Sequence, residues 1–572
     1  MVCPKIQIFP YYFVPCNYKI IIFGIDLYSF SMKTTIQILI LVAGFNFSYG
    51  QSVEWVKVLS GNSIERVVDM AIDSDDNILV LGSYSDSIDL DPGPDTLYPS
   101  TNDMNNIFIE KLTSEGDLIW VKTIGGAGYD SPGTIEVDHE GNIILSGVFS
   151  DSVDINPGPD TLMLYSSQGG FLLKLDSSGN FKNVYQSYGA SHPLSRTFTI
   201  KKNGNLLFGE GPYIYELDTA LQIISTQFIA LYTGISHIIT DNESNIIIGG
   251  YIQYPADFDP GPDTFLLSPP SNYYRFFAKY DSLGNFMWAK TIGNNTPGTF
   301  ISDVASDHSG NIIYSLFAFE SLCMSDNIND TCFNSINTSQ SAFYLKFSPA
   351  GEFEWSQILE NPSGTIYSYA IGIDQNNRQY FTGVMDCNVD FDPGPDTFMV
   401  TTNFHPTYLQ ILDSNNTFLN FSNYTGGSLK AIRALKVNSQ GTLYAAGYFQ
   451  GICVFDSIAG ISYSSQGDDD GFLVKYNQLI LNNSSVESHS RKLVVYPNPG
   501  IDLIQVQLSD KLVAKGKISI QDCFGRIVWS SIITNVDLSE AYTISQVQIA
   551  KGIYNIILQT ENEIYYNRYI RQ

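Results

Sequence analysis

The stretch DHEGNIILSG, residues 138–147, couples a polar reversal to a short apolar run that ends in glycine. Asp, Gly and Asn are turn formers, and the run after them is apolar on consecutive residues, as in a strand covered on both faces. The same pattern recurs as DSDDNILVLG from Asp73, KNGNLLFGEG from Lys202, DNESNIIIGG from Asp241, DHSGNIIYSL from Asp307, DQNNRQYFTG from Asp374 and NSQGTLYAAG from Asn438. The interval is mostly about 65 residues, with one of about 40 after the third copy. Such a period marks a repeat architecture.

A second unit follows each copy, for example IFIEKLTSEGDLIWVKTIGG from Ile107, FLLKLDSSGNF from Phe171 and FFAKYDSLGNFMWAKTIG from Phe276. Aromatic and β-branched runs on either side of a tight Ser/Asp-x-Gly-Asn turn read as two strands. Each period therefore holds four antiparallel strands, and the fold class is all-β, a seven-bladed β-propeller. The last copy, FLVKYNQLIL from Phe472, has no W-V-K strand after it, whereas an orphan copy, EWVKVLSGN, occupies residues 54–62. The propeller is thus expected to be closed by an N-terminal strand that completes the final sheet and hides two free edges. Trp55, Trp120, Trp288 and Trp355 share this outer-strand position and read as repeated packing residues.

In such a meander the DxxGN and SxGN turns lie at one end of the sheets. Four copies of an Asp-rich loop lie at the other: DLDPGPDT (Asp89, Asp91, Asp95), DINPGPDT (Asp154, Asn156, Asp160), and DFDPGPDT twice (Asp257, Asp259, Asp263; Asp390, Asp392, Asp396). Clustered oxygen donors suit Ca²⁺, so a weak calcium site is one reading. A stiff Pro-Gly-Pro reversal whose aspartates bond nearby amides is the other, favoured because no glutamate closes the loop. Loops on a rigid frame are where binding belongs.

The chain has 572 residues, 30 Lys plus Arg against 58 Asp plus Glu, and a formal net charge of −28, which repels nucleic acid and anionic lipid. Residues 1–50 read as an upstream extension plus a signal peptide: Met32-Lys33, an apolar run and SYG precede Gln51, so the true start is expected at Met32. No transmembrane span is expected in the mature chain, because YKIIIFGIDLYSF falls short of the roughly 20 apolar residues a span needs. In an exported chain Cys323 and Cys332 are close enough to close a small disulfide loop, while Cys387 and Cys453 fall near matching repeat positions.

The repeats fill residues 52–480; residues 481–492 form a polar linker, and residues 493–572 read as about seven short strands. In that last segment Tyr496-Pro497-Asn498-Pro499, Asp522-x-x-Gly525-Arg526, Gly552-Ile553-Tyr554 and the closing YYNRYIRQ resemble the C-terminal sorting domain of type IX secretion cargo in Bacteroidetes. The resemblance implies a small C-terminal β-sandwich, recognition by the type IX machinery and a sortase, and a secreted or outer-membrane cell-surface location. The repeats resemble the seven-bladed propellers with DFDPGPGT loops found in such cargo, with Asp standing here where that family often has a second Gly.

For function, the six histidines, 139, 192, 237, 308, 405 and 489, form no metal-binding spacing. DSLGNFMW (Asp281–Trp288) is similar to the Asp-box of sialidase propellers, but its Gly and Trp stand one residue too far apart, and Arg is scarce. The expectation is a non-catalytic surface propeller that binds an extracellular glycan or protein through its long-loop face, with no cofactor beyond a calcium candidate. A structural or adhesive protein without a discrete ligand is the alternative, and a glycan-active enzyme the third reading.

Overall fold

A computed structural model describes most of residues 52–477 and, between 493 and 571, the strands. The expected signal segment, the linker, Pro94, Cys387, Asp396, Pro497, Asn498, Pro499, Gly525 and Arg526 lie outside the described residues. No helix occurs among them. The chain divides into two compact units, Met1–Leu479 and Ile480–Gln572.

In the first unit each period folds as a four-stranded antiparallel meander. Sheet 1 is Glu65–Ile72, Ile78–Tyr84, Asn106–Leu112 and Leu118–Gly126; sheet 2 is Asp130–Val137, Ile143–Asp154, Met163–Leu175 and Phe181–Ser187. Sheet 3 is the short one: Phe198–Ile200, Leu206–Glu210, Tyr213–Leu217 and Ile223–Phe228. Sheet 4 holds Thr233–Thr240, Ile246–Ile252, Arg275–Tyr280 and Phe286–Gly293; sheet 5 holds Phe300–Ser306, Ile312–Phe319, Gln340–Phe347 and Phe353–Leu359. Sheet 6 runs Ile366–Ile373, Gln379–Met385, Thr407–Leu412 and Phe418–Tyr424. Sheet 7 has only three strands from its own period, Leu429–Val437, Leu443–Gln450 and Asp470–Tyr476, and its fourth is Val53–Leu59 from the start of the repeats. That strand pairs antiparallel with Asp470–Tyr476, Val56 opposite Val474 and Leu59 opposite Gly471. None of the sheets closes on itself.

The second strands are buried at their first four positions in every sheet, and Ile78–Tyr84 throughout, which explains why their sequence does not alternate. Among the described residues, apolar clusters lie between consecutive sheets. One of them sets Ile247 and Phe277 of sheet 4 against Tyr314 and Phe347 of sheet 5, and another joins Leu473 and Tyr444 of sheet 7 to Val67 and Val80 of sheet 1. Aromatic stacks thicken these layers: the Phe277 and Tyr314 rings lie 3.8 Å apart, and Tyr344 and Phe381 4.0 Å apart.

At the end of the sheets that carries the DxxGN turns, Asp73 Oδ1 accepts from the Asp75 and Asn77 amides, and the equivalent Asp does the same in its turn in sheets 2, 4, 5 and 6. The other carboxylate oxygen takes a buried lysine from the third strand of the same sheet: Lys111–Asp73, Lys174–Asp138, Lys279–Asp241 and Lys346–Asp307, at 2.8–3.1 Å. Each ammonium also donates to a turn carbonyl of the following sheet, Ser177, Thr219, Pro349 and Ser414 respectively. One lysine therefore bonds two sheets.

The exceptions compensate locally. Sheet 3 exchanges the charges, with Lys201 in the turn and Glu216 on the strand 3.2 Å away, and Lys201 still reaches Ser282 of sheet 4. Sheet 6 has Ile411 in place of the lysine, and Arg378 in its own turn pairs with Asp374 at 2.5 Å. In sheet 7 Asn438 replaces the aspartate, and Lys475 pairs instead with Glu54 of the N-terminal strand and Glu115 of sheet 1. The outer-strand tryptophans pack over the next sheet's turn: a Cβ on Gly179, at φ +77°, would stand 3.1 Å from Trp120, and one on Gly351 2.8 Å from Trp288.

In the second unit, Leu493–Tyr496, Ile504–Leu508 and Tyr542–Ile544 form one sheet, and Ile527–Asp537, Leu512–Asp522, Gly552–Thr560 and Ile564–Arg571 the other. Alternate residues Ile504 and Val506, Ile518 and Ile520, and Ile556 and Leu558 are buried, the mark of sheets each covered on one face.

Candidate binding face and central cavity

The connections between second and third strands all lie at the end opposite the DxxGN turns, and in six of the seven sheets they carry a hairpin. Four of these hairpins present the Pro-Gly-Pro loops. In sheet 4, Asp257 Oδ1 accepts from the Asp259 and Phe265 amides at 3.2 and 2.8 Å, closing the loop across eight residues, and Asp259 Oδ1 accepts from Gly261 at 2.7 Å. The arrangement repeats at Asp89 and Asp91, at Asp154 and Asn156, and at Asp390 and Asp392. Asn serves as well as Asp at the third position because only an acceptor oxygen is needed there. Among the described residues no group of three or more His, Cys, Asp or Glu side chains converges as a metal site. The oxygens that would bind calcium are bonded to the loop's own amides, and Asp95, Asp160 and Asp263 stand beyond them on exposed tips.

Sheets 5 and 7 lack the motif yet keep the hairpin. In sheet 5 it is Leu322–Ser325 with Asp330–Phe333, where the Cys323 and Cys332 sulfurs are bonded across the pair and the hairpin adds to the edge of sheet 4. In sheet 7 it is Ile452–Asp456 with Ile461–Ser464, and Cys453, on the first of these strands, is buried. Only sheet 3 turns directly, through Gly211 and Pro212.

The first strands of all seven sheets line one cavity of about 180 Å³. Its polar lining comprises Asp69, Glu136, His237, Asp303, Arg433 and Lys436. The carboxylates there tie sheet to sheet: Asp69 Oδ2 accepts from the Ile135 amide, Glu136 from Ile200 and Asp303 from Ile371, at 2.8–3.1 Å. Burial pushes the Glu136 carboxyl up to about 7, with Lys436 opposing. Burial also raises Glu65 to about 8, helped by Asp470, and Asp130 to about 7. Glu110, enclosed on the third strand of sheet 1, is held well above the usual carboxylate range by burial and the Asp91 charge, and neither of its oxygens has a hydrogen-bond partner. Shifted carboxyls often mark catalytic sites; Glu65, Glu110 and Asp130 have no exposed surface, and of the shifted groups Glu136 lines the cavity. His139 and His308 sit in exposed turns, whereas His237 lies in the cavity and bonds Ser302.

Reading the sequence missed the lysine link and the cavity's charged lining; the recurrence of K-L-D or K-Y-D one period after another is the signal that could have revealed the first.

Residues 494–572 match the family described as secretion system C-terminal sorting domain. The chain carries a type IX sorting domain at its C-terminus. Within this sorting domain Tyr496 ends the first strand, Asp522 ends the Leu512–Asp522 strand, and Gly552 and Tyr554 open the Gly552–Thr560 strand, where Tyr554 stands opposite Asp522. The domain makes the protein an exported one, secreted or held at the cell surface. No helix among the described residues is long and apolar enough to cross a membrane. The chain is also 25% identical over 338 residues to an uncharacterized WD repeat-containing protein of Acanthamoeba polyphaga mimivirus, covering 51% of this chain and 22% of that one. The chain thus spans about a fifth of that relative's length. Similar solved structures include a protein of unknown function from Bacteroides caccae, at 10% identity and TM-score 0.27, covering 54% of this chain and 94% of that one. Another is a DUF4221 member from Bacteroides vulgatus, at 11% identity and TM-score 0.29, covering 62% and 92%.

Proposed function

We propose that residues 52–477 form a closed seven-bladed β-propeller, exported through the type IX machinery, that binds an extracellular glycan or protein through the end bearing the hairpins without catalysing a reaction. The strand exchange supports closure, since Val53–Leu59 completes the sheet built from the last period. So do the apolar cluster between sheets 7 and 1 and the cavity walled by all seven first strands. WD repeats are four-stranded propeller blades, so the mimivirus relative's name agrees.

The observation that carries the function is the inequality of the two ends. One end consists of short turns locked by buried lysines; the other carries six hairpins, interrupted at sheet 3, whose bases bury Leu90, Ile155, Phe258, Phe391 and Phe455 in the core while tips such as Asp95, Asp160 and Asp263 stand exposed. Exposed loop tips held on a rigid frame are where recognition is built. The non-catalytic reading is supported by the enclosure of Glu65, Glu110 and Asp130 and, at the cavity, by Glu136 being engaged by the Ile200 amide. Binding of the full chain to a glycan array, with and without chelator, tests the proposal: saturable binding lost on substitution of residues at the hairpin-bearing end and unaffected by chelator supports it. Turnover of any bound polysaccharide would replace it with an enzyme.

A further inference from the structure

The missing hairpin of sheet 3 leaves a step in the hairpin-bearing end, and the side chains beside that step are aromatic and exposed. Gly211 and Pro212 turn sheet 3 over directly, and their carbonyls accept from the Ile235 and Ile229 amides, which brings the Leu231–Tyr232 loop alongside. Tyr213 opens its strand and Phe228 ends the next one here, with ring centroids 5.4 Å apart. Tyr232 meets Tyr254 of sheet 4 edge-to-face at 4.9 Å, and the two rings are 59% and 54% exposed, with Leu231 61% exposed.

A second observation singles out Tyr232. Its φ is +60°, a left-handed conformation that glycine or asparagine adopts readily and an aromatic residue rarely does. Its carbonyl accepts from the Gln253 amide, so the backbone is held in place while the ring projects outward. Backbone strain of this kind concentrates at ligand sites. Isolated exposed apolar residues are ordinary; five together around a gap in the hairpins are not.

Resting on the binding face proposed above, we infer that Tyr213, Phe228, Leu231, Tyr232 and Tyr254 form the seat for a neutral polysaccharide. Tyrosine offers an apolar ring face to the C–H face of a pyranose and a hydroxyl to its rim. None of the five carries charge, and the chain's formal net charge of −28 opposes an acidic sugar chain.

Affinity electrophoresis of the full chain through gels containing laminarin, xylan or galactomannan, with polygalacturonate as the anionic comparison, tests the inference. At least one neutral polymer is expected to retard the protein, and polygalacturonate is not. Tyr254→Ala and Tyr232→Gly should each weaken retardation about tenfold, while Tyr463→Ala, an exposed tyrosine on the sheet 7 hairpin, leaves it intact. Tyr232→Gly separates binding from folding, because glycine relieves the backbone strain: its melting midpoint should not fall below the parent's. Failure of all three neutral polymers to retard the chain overturns the inference. Retardation that survives both substitutions but is lost on altering another hairpin also overturns it, and leaves the wider binding face standing. A polypeptide bound through these five residues in place of a sugar would overturn the ligand class alone.

Discussion

Replacing Lys279 by Met removes one link of the lysine girdle. The Lys279 side chain is 1% exposed and Asp241 3%, so their 2.8 Å pair is sealed from water, and the ammonium also donates to Pro349 of sheet 5. Methionine fills the aliphatic path but leaves Asp241 with only Asn245 and the turn amides. Removing one partner of a buried pair costs about 3–5 kcal/mol, against about 1 kcal/mol or less for a surface pair. Burial works to raise the Asp241 pKa, but the hydrogen bonds from Lys279 and Asn245 outweigh it and hold the carboxyl below its ordinary 3.8. A lowered folded pKa stabilises above the unfolded value and loses that contribution as pH falls through the folded one. The cost of Lys279→Met should therefore be full at neutral pH and shrink below about pH 4, where Asp241 protonates in the variant. Denaturant melts at both pH values, completed as a double-mutant cycle with Asp241→Asn, measure it. A loss under about 1 kcal/mol at neutral pH, or no coupling in the cycle, would refute the girdle.

In sheet 3, Lys201→Asp alone should be severely destabilising by opposing Glu216, and Lys201→Asp with Glu216→Lys should recover most of the loss in thermal melts, since it restores the charge order of the other sheets. Glu65 is raised from 4.5 to about 8 by burial first and Asp470 second, so it contributes stability that is full below about pH 4.5 and is lost as pH rises to about 8; Glu65→Gln should flatten that slope in melts across the interval. Glu110 occupies a position filled by Leu173, Ala278, Leu345 and Val474 in sheets 2, 4, 5 and 7, and Glu110→Leu should raise stability by roughly 1–3 kcal/mol in denaturant melts.

The periodic turn at 138–147 and the orphan EWVKVLSGN were enough to order the strands and to pair the first with the last, because a sheet short of one strand and a strand short of a sheet identify each other. The DPGPDT loops were legible only as a choice: composition counts oxygens, whereas the structure shows that Asp257 Oδ1 is occupied by two amides. The hairpins of sheets 5 and 7 carry no shared motif, since disulfide closure at Cys323–Cys332 and burial of Cys453 replace it, and sequence similarity cannot follow that exchange. Tyr232 was invisible for another reason. Its significance lies in a backbone angle and an exposed ring, neither of which a repeat alignment reports.

Val53, Val56 and Leu59 are buried in the final sheet, each worth about 1.5–3 kcal/mol, a sum comparable to the whole stability of a typical domain. Thermal unfolding of the chain without residues 52–62 tests the closed ring most directly. Loss of the cooperative transition of the repeats, restored when a peptide of residues 52–62 is added in trans, is the predicted result. A shortened chain that melts as the parent does, indifferent to the peptide, would contradict it.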